Sequence, residues 1–206
     1  MILNEDKTKR GKFIALYGAN NLGKSTQIKK LVNKVAEQGQ QSFLVIKYPM
    51  YKLHPTGPKI NEALRGKNTE NVDTKSIEMQ KLYVQNRIDF QPTLIEVLNS
   101  GVNVICEDYV GTGIAWGLTW ELKLEDLENL NYGLIKPDIE IVLDGTRFSA
   151  GIEPGHKFES AGSEIWKKNR EAHSLLAKRY DWKTVQANES EEQVHQKIWN
   201  IIAGML

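Results

Sequence analysis

The sequence predicts an α/β fold in which a parallel five-stranded sheet carries helices on both faces. Short apolar runs that suit buried strands alternate along the chain with longer segments of helical periodicity. Residues 18–25 also read Gly-x-x-x-x-Gly-Lys-Ser, between an apolar run and a helical segment. At 206 residues the chain is long enough for one domain with a full core, which we place at 12–206.

The Gly-x-x-x-x-Gly-Lys-Ser segment has the spacing of a phosphate-binding P-loop. The pattern is informative where a strand precedes it and a helix follows, and here residues 13–17 are apolar. The following apolar residues recur at helical spacing: Ile28, Leu31, Val32 and Val35. We therefore predict a three-layer P-loop NTPase fold that binds a nucleoside triphosphate with Mg²⁺, with Lys24 on the phosphates and Ser25 on the metal.

Composition excludes several other classes of protein. A net charge of +1 with 26% charged residues gives no reason to expect a nucleic-acid or membrane surface. No apolar stretch approaches the roughly 20 residues of a membrane span. Residues 1–11 are polar and mixed in charge, so we expect a flexible arm rather than a signal peptide, and a cytoplasmic protein. The one cysteine, Cys106, is predicted to be a core residue.

Periodicity and turn signals place the remaining elements. Further strands are predicted at 42–47, 102–106, 139–143 and about 182–185, with helices at 76–99, 122–130 and 163–180. A capping box at Ser190 and Gln193 opens a last helix. Pro92 is expected to kink or split the long helix, and residues 111–113 (Gly-Thr-Gly) are expected to form a tight turn.

Aromatic residues mark a candidate substrate pocket. Tyr48 and Tyr51 follow the second strand, where ligands bind in open α/β sheets. Tyr83 and Arg87 are four residues apart and share one helix face, so they could stack on a base and bond its edge. The spacing by itself favours the other interpretation, a half-buried tyrosine with a solvated arginine.

Two further segments are candidates for the chemistry. Glu107 and Asp108 are adjacent carboxylates at the end of an apolar strand, where they need a cation or a proton. Mg²⁺ binding or general-base work is one interpretation, and a helix-capping acid with a solvated neighbour is the other. Residues 145–162 form a polar insertion that could be a mobile lid over the phosphates or a plain surface loop.

Taken in order, these landmarks resemble the thymidylate kinase family of P-loop nucleoside-monophosphate kinases, over about residues 12–203. The matching segments are 18–26, Tyr48-Pro49, residues 83–87 (Tyr-Val-Gln-Asn-Arg), residues 107–109 (Glu-Asp-Tyr against Asp-Arg-Tyr), residues 136–144 from Lys-Pro-Asp onwards, and 166–177. The P-loop alone would indicate a nucleoside triphosphate, whereas the ordered set is far more specific.

The resemblance implies ATP- and Mg²⁺-dependent conversion of dTMP to dTDP, in a homodimer. For ATP it implies contacts from Gly18, Asn21, Gly23, Lys24, Ser25, Thr26, Ala187 and Asn188. For the acceptor it implies Asn20, Tyr48, Tyr51, Tyr83, Arg87, Asp108, Tyr109 and Trp116. The catalytic residues would be Lys24, Glu107 and a lid cation (Lys157, or Arg147 as the alternative), with Ser25 and Glu107 at the metal.

Some residues depart from the family pattern. Asn20 stands where aspartate is common, and Gly117 replaces a polar residue near the base. Tyr51 and Asp108 stand where arginines that hold the acceptor phosphate are found, so two phosphate-binding cations are missing. Two alternatives therefore stay open: a nucleoside kinase acting on the 5′-hydroxyl of thymidine or a relative, for which Glu107 or Asp108 could be the base, and a non-catalytic nucleotide-binding module.

Overall fold

A parallel five-stranded sheet forms the centre of the molecule. The computed structural model describes residues 10–39, 43–66, 73–149, 157 and 162–206. The strands are ordered β2-β3-β1-β4-β5 and every neighbouring pair is parallel. Their bounds are β1 Phe13–Tyr17, β2 Leu44–Lys47, β3 Val104–Glu107, β4 Ile139–Asp144 and β5 Lys183–Gln186. The predicted α/β fold is confirmed.

Helices cover both faces of this sheet. They are α1 Lys24–Glu37, α2 Thr56–Arg65, α3 Ile77–Asn99, α4 Val110–Thr119, α5 Leu124–Leu130, α6 Ser163–Arg179 and α7 Glu191–Ile202, followed by a 3₁₀ turn at Ala203–Met205. Alternate side chains of β1 point to opposite faces. Ile14 and Leu16 pack with α1 and α7, whereas Ala15 and Tyr17 pack with α3, α4 and α6.

Several local predictions are confirmed. The strands and helices that the sequence predicts are found within a few residues of their predicted positions, and the capping box at Ser190 is formed by hydrogen bonds in both directions with Gln193. Cys106 is fully buried in β3.

The predicted turn at residues 111–113 is wrong, because these residues lie in helix α4. The two glycines allow α4 to pack closely against neighbouring side chains and do not form a turn. A Cβ at Gly111 would lie 2.4 Å from Trp182, and one at Gly113 would lie 2.6 Å from an Arg87 nitrogen. Of the two outcomes expected at Pro92, a kink or a split, the split does not occur, since α3 runs without interruption through it.

The two predicted mobile segments fall mainly outside the described residues. Of the arm at 1–11, Arg10 and Gly11 are described: Arg10 pairs with Asp138 at 2.9 Å, and the Gly11 amide donates to the Leu98 carbonyl. Of the lid at 145–162, residues 150–156 and 158–161 are not described. Within the described chain, no helix combines the length and apolar character that crossing a membrane requires.

Candidate active site

The P-loop lies between β1 and α1 at the carboxyl edge of the sheet. Gly18 and Gly23 have φ angles of 137° and 84°, and a Cβ at Gly18 would lie 2.6 Å from the Leu143 carbonyl oxygen. These positions therefore require glycine. The buried Lys24 ammonium donates to the carbonyls of Gly18 and Ala19, at 2.7 and 3.2 Å. The loop thus holds its lysine where phosphate would bind.

A short chain of polar contacts joins the P-loop to β3 and β2. Ser25 Oγ donates to both carboxylate oxygens of Glu107, at 2.9 and 2.7 Å. Lys47 Nζ lies 2.8 Å from Glu107 Oε1, because Lys47 and Glu107 are register partners at the ends of neighbouring parallel strands. Partial burial lowers the pKa of Lys47, but the Glu107 carboxylate outweighs this effect and the pKa is raised.

Asp108 lies beside this chain with a backbone in the left-handed region, at φ 61°. Its Oδ1 accepts a hydrogen bond from Thr112 Oγ1 at 2.8 Å and lies 3.6 Å from Lys24 Nζ. Burial raises the pKa of Asp108, an effect that Lys24 opposes and Glu107 reinforces. The P-loop lysine therefore offsets part of the negative charge of Asp108.

Above the P-loop is a cavity of about 680 Å³, which we call the P-loop cavity. It is lined by Asn20, Asn21, Leu22, Gly23, Lys24, Ser25, Thr26, Gln27, Lys47, Glu107, Asp108, Phe148, Ala187, Glu189, Glu191 and Val194. Its walls come from the P-loop, the ends of β2 and β3, and the loops after β4 and β5. This is the edge of the sheet at which nucleotides bind in such folds.

A second, smaller cavity of about 110 Å³, the tyrosine cavity, lies next to the first. It is lined by Asn20, Lys47, Tyr48, Pro49, Tyr51, Leu64, Arg65, Tyr83, Arg87, Asp108, Tyr109, Thr112, Gly113 and Trp116. Every residue predicted to contact the acceptor is in this set. Three side chains, those of Asn20, Lys47 and Asp108, line both cavities, so the two cavities meet at these residues.

The polar groups of the tyrosine cavity are buried and partly unpaired. Tyr48, Tyr83 and Arg87 are 4%, 7% and 4% exposed, so the solvated arginine considered above is wrong. Arg87 donates to the Tyr109 carbonyl at 2.9 Å and to Asn131 at 3.2 Å. Arg87 Nε and the Tyr48 hydroxyl have no hydrogen-bond partner within the described chain. Buried polar groups of this kind favour a bound polar ligand.

Burial sets the ionisation of this cavity. It raises the pKa of the Tyr48 and Tyr83 hydroxyls, which therefore remain protonated donors at neutral pH. It lowers the pKa of Arg87, although a guanidinium keeps its charge in proteins. The cavity thus combines neutral aromatic surfaces with one fixed cation, a combination suited to a base with polar edges.

Asn86 holds the loop after β2 in place. This fully buried residue accepts from the Met50 amide at 2.8 Å and donates to Thr56 Oγ1 at 2.9 Å. Thr56 in turn donates to Asp89 at 3.0 Å. The loop and the start of α2 are therefore fixed to the helix that carries Tyr83 and Arg87.

Four predicted residues line neither cavity: Gly18, Arg147, Lys157 and Asn188. The Gly18 carbonyl accepts from Lys24 within the P-loop. Asn188 instead bridges the backbone of Thr146, donating to its carbonyl at 2.9 Å. Lys157 donates from its side chain to the Ala63 carbonyl at the end of α2, at 2.7 Å. Arg147 is half-buried and directly precedes Phe148, whose amide donates to the Asn21 carbonyl at 3.0 Å.

The residues at Ser25 and Glu107 fit a Mg²⁺ ion. A hydroxyl and a carboxylate lie in contact beside the P-loop lysine, and Mg²⁺ prefers such hard oxygen ligands together with substrate phosphates. Among residues 10–39, 43–66, 73–149, 157 and 162–206, no group of three or more His, Cys, Asp or Glu side chains could hold a metal unaided. The remaining ligands would come from the triphosphate and water.

Comparison with known proteins identifies the family of this chain. The family model described as thymidylate kinase matches residues 16–198, which include the P-loop, both cavities and the helix after the insertion. The chain belongs to the thymidylate kinase family.

Curated thymidylate kinases align along nearly the whole chain. The enzyme of Dictyostelium discoideum is 28% identical over 202 residues, covering 96% of this chain and 88% of that protein. The human enzyme is 28% identical over 194 residues, covering 92% and 89%. A solved thymidylate kinase from Candida albicans superposes with a TM-score of 0.77 at 23% identity, covering 95% and 92%, and so shares the fold.

The residues of this site that sequence reasoning missed include Lys47, Arg65, Asn86 and Phe148. Lys47 is the last residue of a predicted strand, and that position was a usable signal. Asn86 lies within the Tyr-Val-Gln-Asn-Arg segment of the thymidylate kinase resemblance. Arg65 and Phe148 carried no signal, because each reaches its cavity through packing of α2 or of the loop after β4.

Proposed function

We propose that this protein transfers the γ-phosphate of ATP to dTMP, giving dTDP. The observation that carries the proposal is the meeting of two cavities at Asn20, Lys47 and Asp108. One cavity lies over a P-loop, and the other offers buried aromatic rings and a fixed arginine. Donor and acceptor phosphates would thus face each other where the cavities join.

The phosphoryl transfer needs positioning and charge neutralisation rather than a base, because an acceptor phosphate oxygen is already ionised near neutral pH. Lys24 and the P-loop amides would hold the triphosphate, while Ser25 and Glu107 would hold Mg²⁺. That ion, when bound, would neutralise charge on the phosphates. Tyr83 would stack on thymine, Arg87 and Tyr48 would bind its polar edge, and Asn20 would contact the sugar.

At the other end of the P-loop cavity, Ala187 and Phe148 would flank adenine. Asn188 would act indirectly, because it fixes the loop that carries Phe148 by bonding Thr146. We propose Lys157, or Arg147 as the alternative, as the cation that covers the transferring group. Arg147 adjoins a residue bonded to the P-loop, whereas Lys157 would have to leave the Ala63 carbonyl.

The test measures ADP formation from ATP and Mg²⁺ with dTMP, dUMP, thymidine or no acceptor. We expect turnover with dTMP and none with thymidine. Lys24→Met should lower this turnover about 10²- to 10³-fold, the cost of removing one preorganised electrostatic contact. Lys29→Met, an exposed change on the same helix, should leave it unchanged. Absence of turnover with dTMP would overturn the proposal.

A second candidate, a nucleoside kinase, is favoured by one observation. Asp108 lies where the cavities join, and burial raises its pKa, so it could accept the proton of a 5′-hydroxyl. Turnover of thymidine but not of dTMP would establish this candidate. ADP formation with any acceptor would exclude a non-catalytic module.

We also propose that the protein is a cytoplasmic homodimer. The observation behind the dimer is a pair of apolar side chains on α3, Ile88 and Ile95, which are 44% and 38% exposed and lie on one helix face. Sedimentation should show a dimer that Ile88→Glu dissociates. Leu175→Glu, at an exposed position of α6, should leave it intact.

A further inference from the structure

Two cations line the tyrosine cavity from positions other than the expected arginines. Arg65 is the last residue of α2, and Lys47 is the last residue of β2. Both side chains line the cavity, and Lys47 also lines the P-loop cavity. The positive charge absent at Tyr51 and Asp108 is therefore supplied by other elements.

Arg65 is held in the cavity by an aromatic ring. Its Cζ lies 4.4 Å from the centroid of the Tyr51 ring, within the range of a cation–π contact. Its Nη1 donates to Asn61 Oδ1, one helical turn back, at 3.1 Å. A guanidinium has its N–H groups in one plane, in a fork that matches phosphate oxygens for bidentate bonds. Tyr51, which stands where the family has an arginine, thus contacts Arg65, and Arg65 supplies the guanidinium in the cavity.

Arg65 lines the same cavity as Tyr83, the predicted base-stacking residue. Its charge opposes the rise in the pKa of Tyr83 that burial causes, which places the guanidinium within electrostatic reach of that phenol. Arg87, the other arginine of the cavity, is engaged by Tyr109 and Asn131. The two arginines therefore occupy different parts of the cavity, one buried in its wall and one on α2.

Lys47 lies where the two cavities join. Its Nζ is bonded to Glu107, which also accepts from the P-loop Ser25, and its side chain is 58% exposed. A cation at this point can bridge oxygens on both sides of a phosphoryl transfer. With Lys24 beside Asp108 at 3.6 Å, the two acids and the two lysines at the junction balance in charge.

We propose that Arg65, stacked on Tyr51, binds the 5′-phosphate of the acceptor together with Lys47, and that this contact selects a nucleoside monophosphate over the nucleoside. The inference rests on the proposed function and assigns the specificity of its acceptor site. It replaces both missing arginines with groups that the fold brings in from α2 and β2.

The test compares binding of dTMP and thymidine by calorimetry in Arg65→Met, which keeps length but removes charge. We expect the Kd for dTMP to rise about 10- to 100-fold, as for loss of a charge-assisted bond to phosphate. The Kd for thymidine and the KM for ATP should change less than about twofold, because neither contact involves Arg65. Lys59→Met, an exposed charge on the same helix, is the matched control.

Variants of Tyr51 separate the ring from its hydroxyl. Tyr51→Phe keeps the ring and should bind dTMP as the unchanged protein does, whereas Tyr51→Ala should weaken dTMP binding in the same direction as Arg65→Met. Lys47→Met should lower both dTMP affinity and kcat. Thermal unfolding of each variant shows that it remains folded under assay conditions.

The outcomes distinguish this inference from the function on which it rests. If the unchanged protein phosphorylates dTMP and Arg65→Met binds dTMP equally well, the phosphate assignment is wrong and the function stands. Equal losses of dTMP and thymidine binding would place Arg65 at the base or sugar and would also overturn the assignment. If the unchanged protein does not act on dTMP, the proposed function itself fails.

Discussion

Lys47 Nζ and the Glu107 carboxylate lie 2.8 Å apart at the ends of two neighbouring parallel strands. This ion pair joins the β2 side of the site to the P-loop, because Glu107 also accepts from Ser25. Glu107 is 7% exposed, and a buried carboxylate is stable only with such partners. This position makes Glu107 the candidate carboxylate ligand for the proposed metal at Ser25.

Replacing Glu107 should therefore change the metal dependence of the reaction. Glu107→Gln keeps the shape of the side chain but removes the charge that would bind Mg²⁺ directly or through water. We expect the Mg²⁺ concentration for half-maximal rate to rise about 10- to 100-fold. The measurement is the rate with dTMP at a series of Mg²⁺ concentrations. Glu96→Gln, an exposed change on α3, is the control, and an unchanged Mg²⁺ profile in Glu107→Gln would contradict the assignment.

The tyrosine cavity gives a prediction for the base. Removal of the Tyr83 ring should raise the KM for dTMP about tenfold or more, because base–aromatic stacking contributes about 1–3 kcal/mol. The KM for ATP should stay within about twofold, since Tyr83 lines the tyrosine cavity and not the P-loop cavity.

A matched tyrosine provides the control for this change. Tyr132 is 92% exposed, so Tyr132→Ala should leave both KM values unaltered. A rise in the KM for ATP, rather than for dTMP, in Tyr83→Ala would mean that the base pocket is misplaced.

Gly113 should be as important for binding of the acceptor as Arg87, the residue against which it packs. A Cβ at this position would lie 2.6 Å from Arg87 Nη2 and 3.2 Å from Nη1, and the guanidinium is already held by Tyr109. Gly113→Ala should displace Arg87 and raise the KM for dTMP about tenfold, the cost of one lost charge-assisted hydrogen bond.

The free energy of unfolding of Gly113→Ala should fall by less than the loss of dTMP affinity would suggest. Alanine favours a helix over glycine by about 1 kcal/mol, which offsets part of the strain in α4. Gly204→Ala, with no heavy atom within 4 Å of its Cβ, is the control. An unaltered KM for dTMP in Gly113→Ala would show that Arg87 does not need its present position to bind the acceptor.

How far the sequence predicts this site depends on how local each contact is. Residues 18–25 are predictable because a strand, a loop and a helix adjacent in the chain build the phosphate cradle. The contact between Lys47 and Glu107 spans 60 residues and depends on the register of β2 against β3. Periodicity predicts both strands but not which residues become neighbours.

The segment 111–113 shows why a local signal can mislead. Two glycines separated by one residue are typical of turns, yet here they lie in a helix whose close contacts with Trp182 and Arg87 leave no room for a Cβ. Glycine is required at positions 111 and 113 because of tertiary packing, and a single sequence does not reveal which residues pack together. Arg65 was missed for the same reason, because only the placement of α2 brings it to Tyr51.

A buried histidine on α6 should make stability depend on pH. His173 is 2% exposed, its Nδ1 lies 2.9 Å from the Asn169 carbonyl, and burial lowers its pKa from 6.5 to about 4. Below pH 6.5 the unfolded chain binds a proton at this residue that the folded protein does not. Stability from His173 is therefore complete above pH 6.5 and is lost as the pH falls towards 4, by about 1.4 kcal/mol for each unit.

The measurement is the free energy of unfolding by urea at several pH values between 7 and 4.5, in the unchanged protein and in His173→Phe. Burial raises the pKa of Asp108 and of Glu140, and such carboxyls contribute a slope of the opposite sign. The difference between the two proteins therefore isolates His173: it should shrink steadily as the pH falls. His54→Gln, at an exposed position, should keep the slope of the unchanged protein, and parallel curves for His173→Phe and the unchanged protein would contradict the prediction.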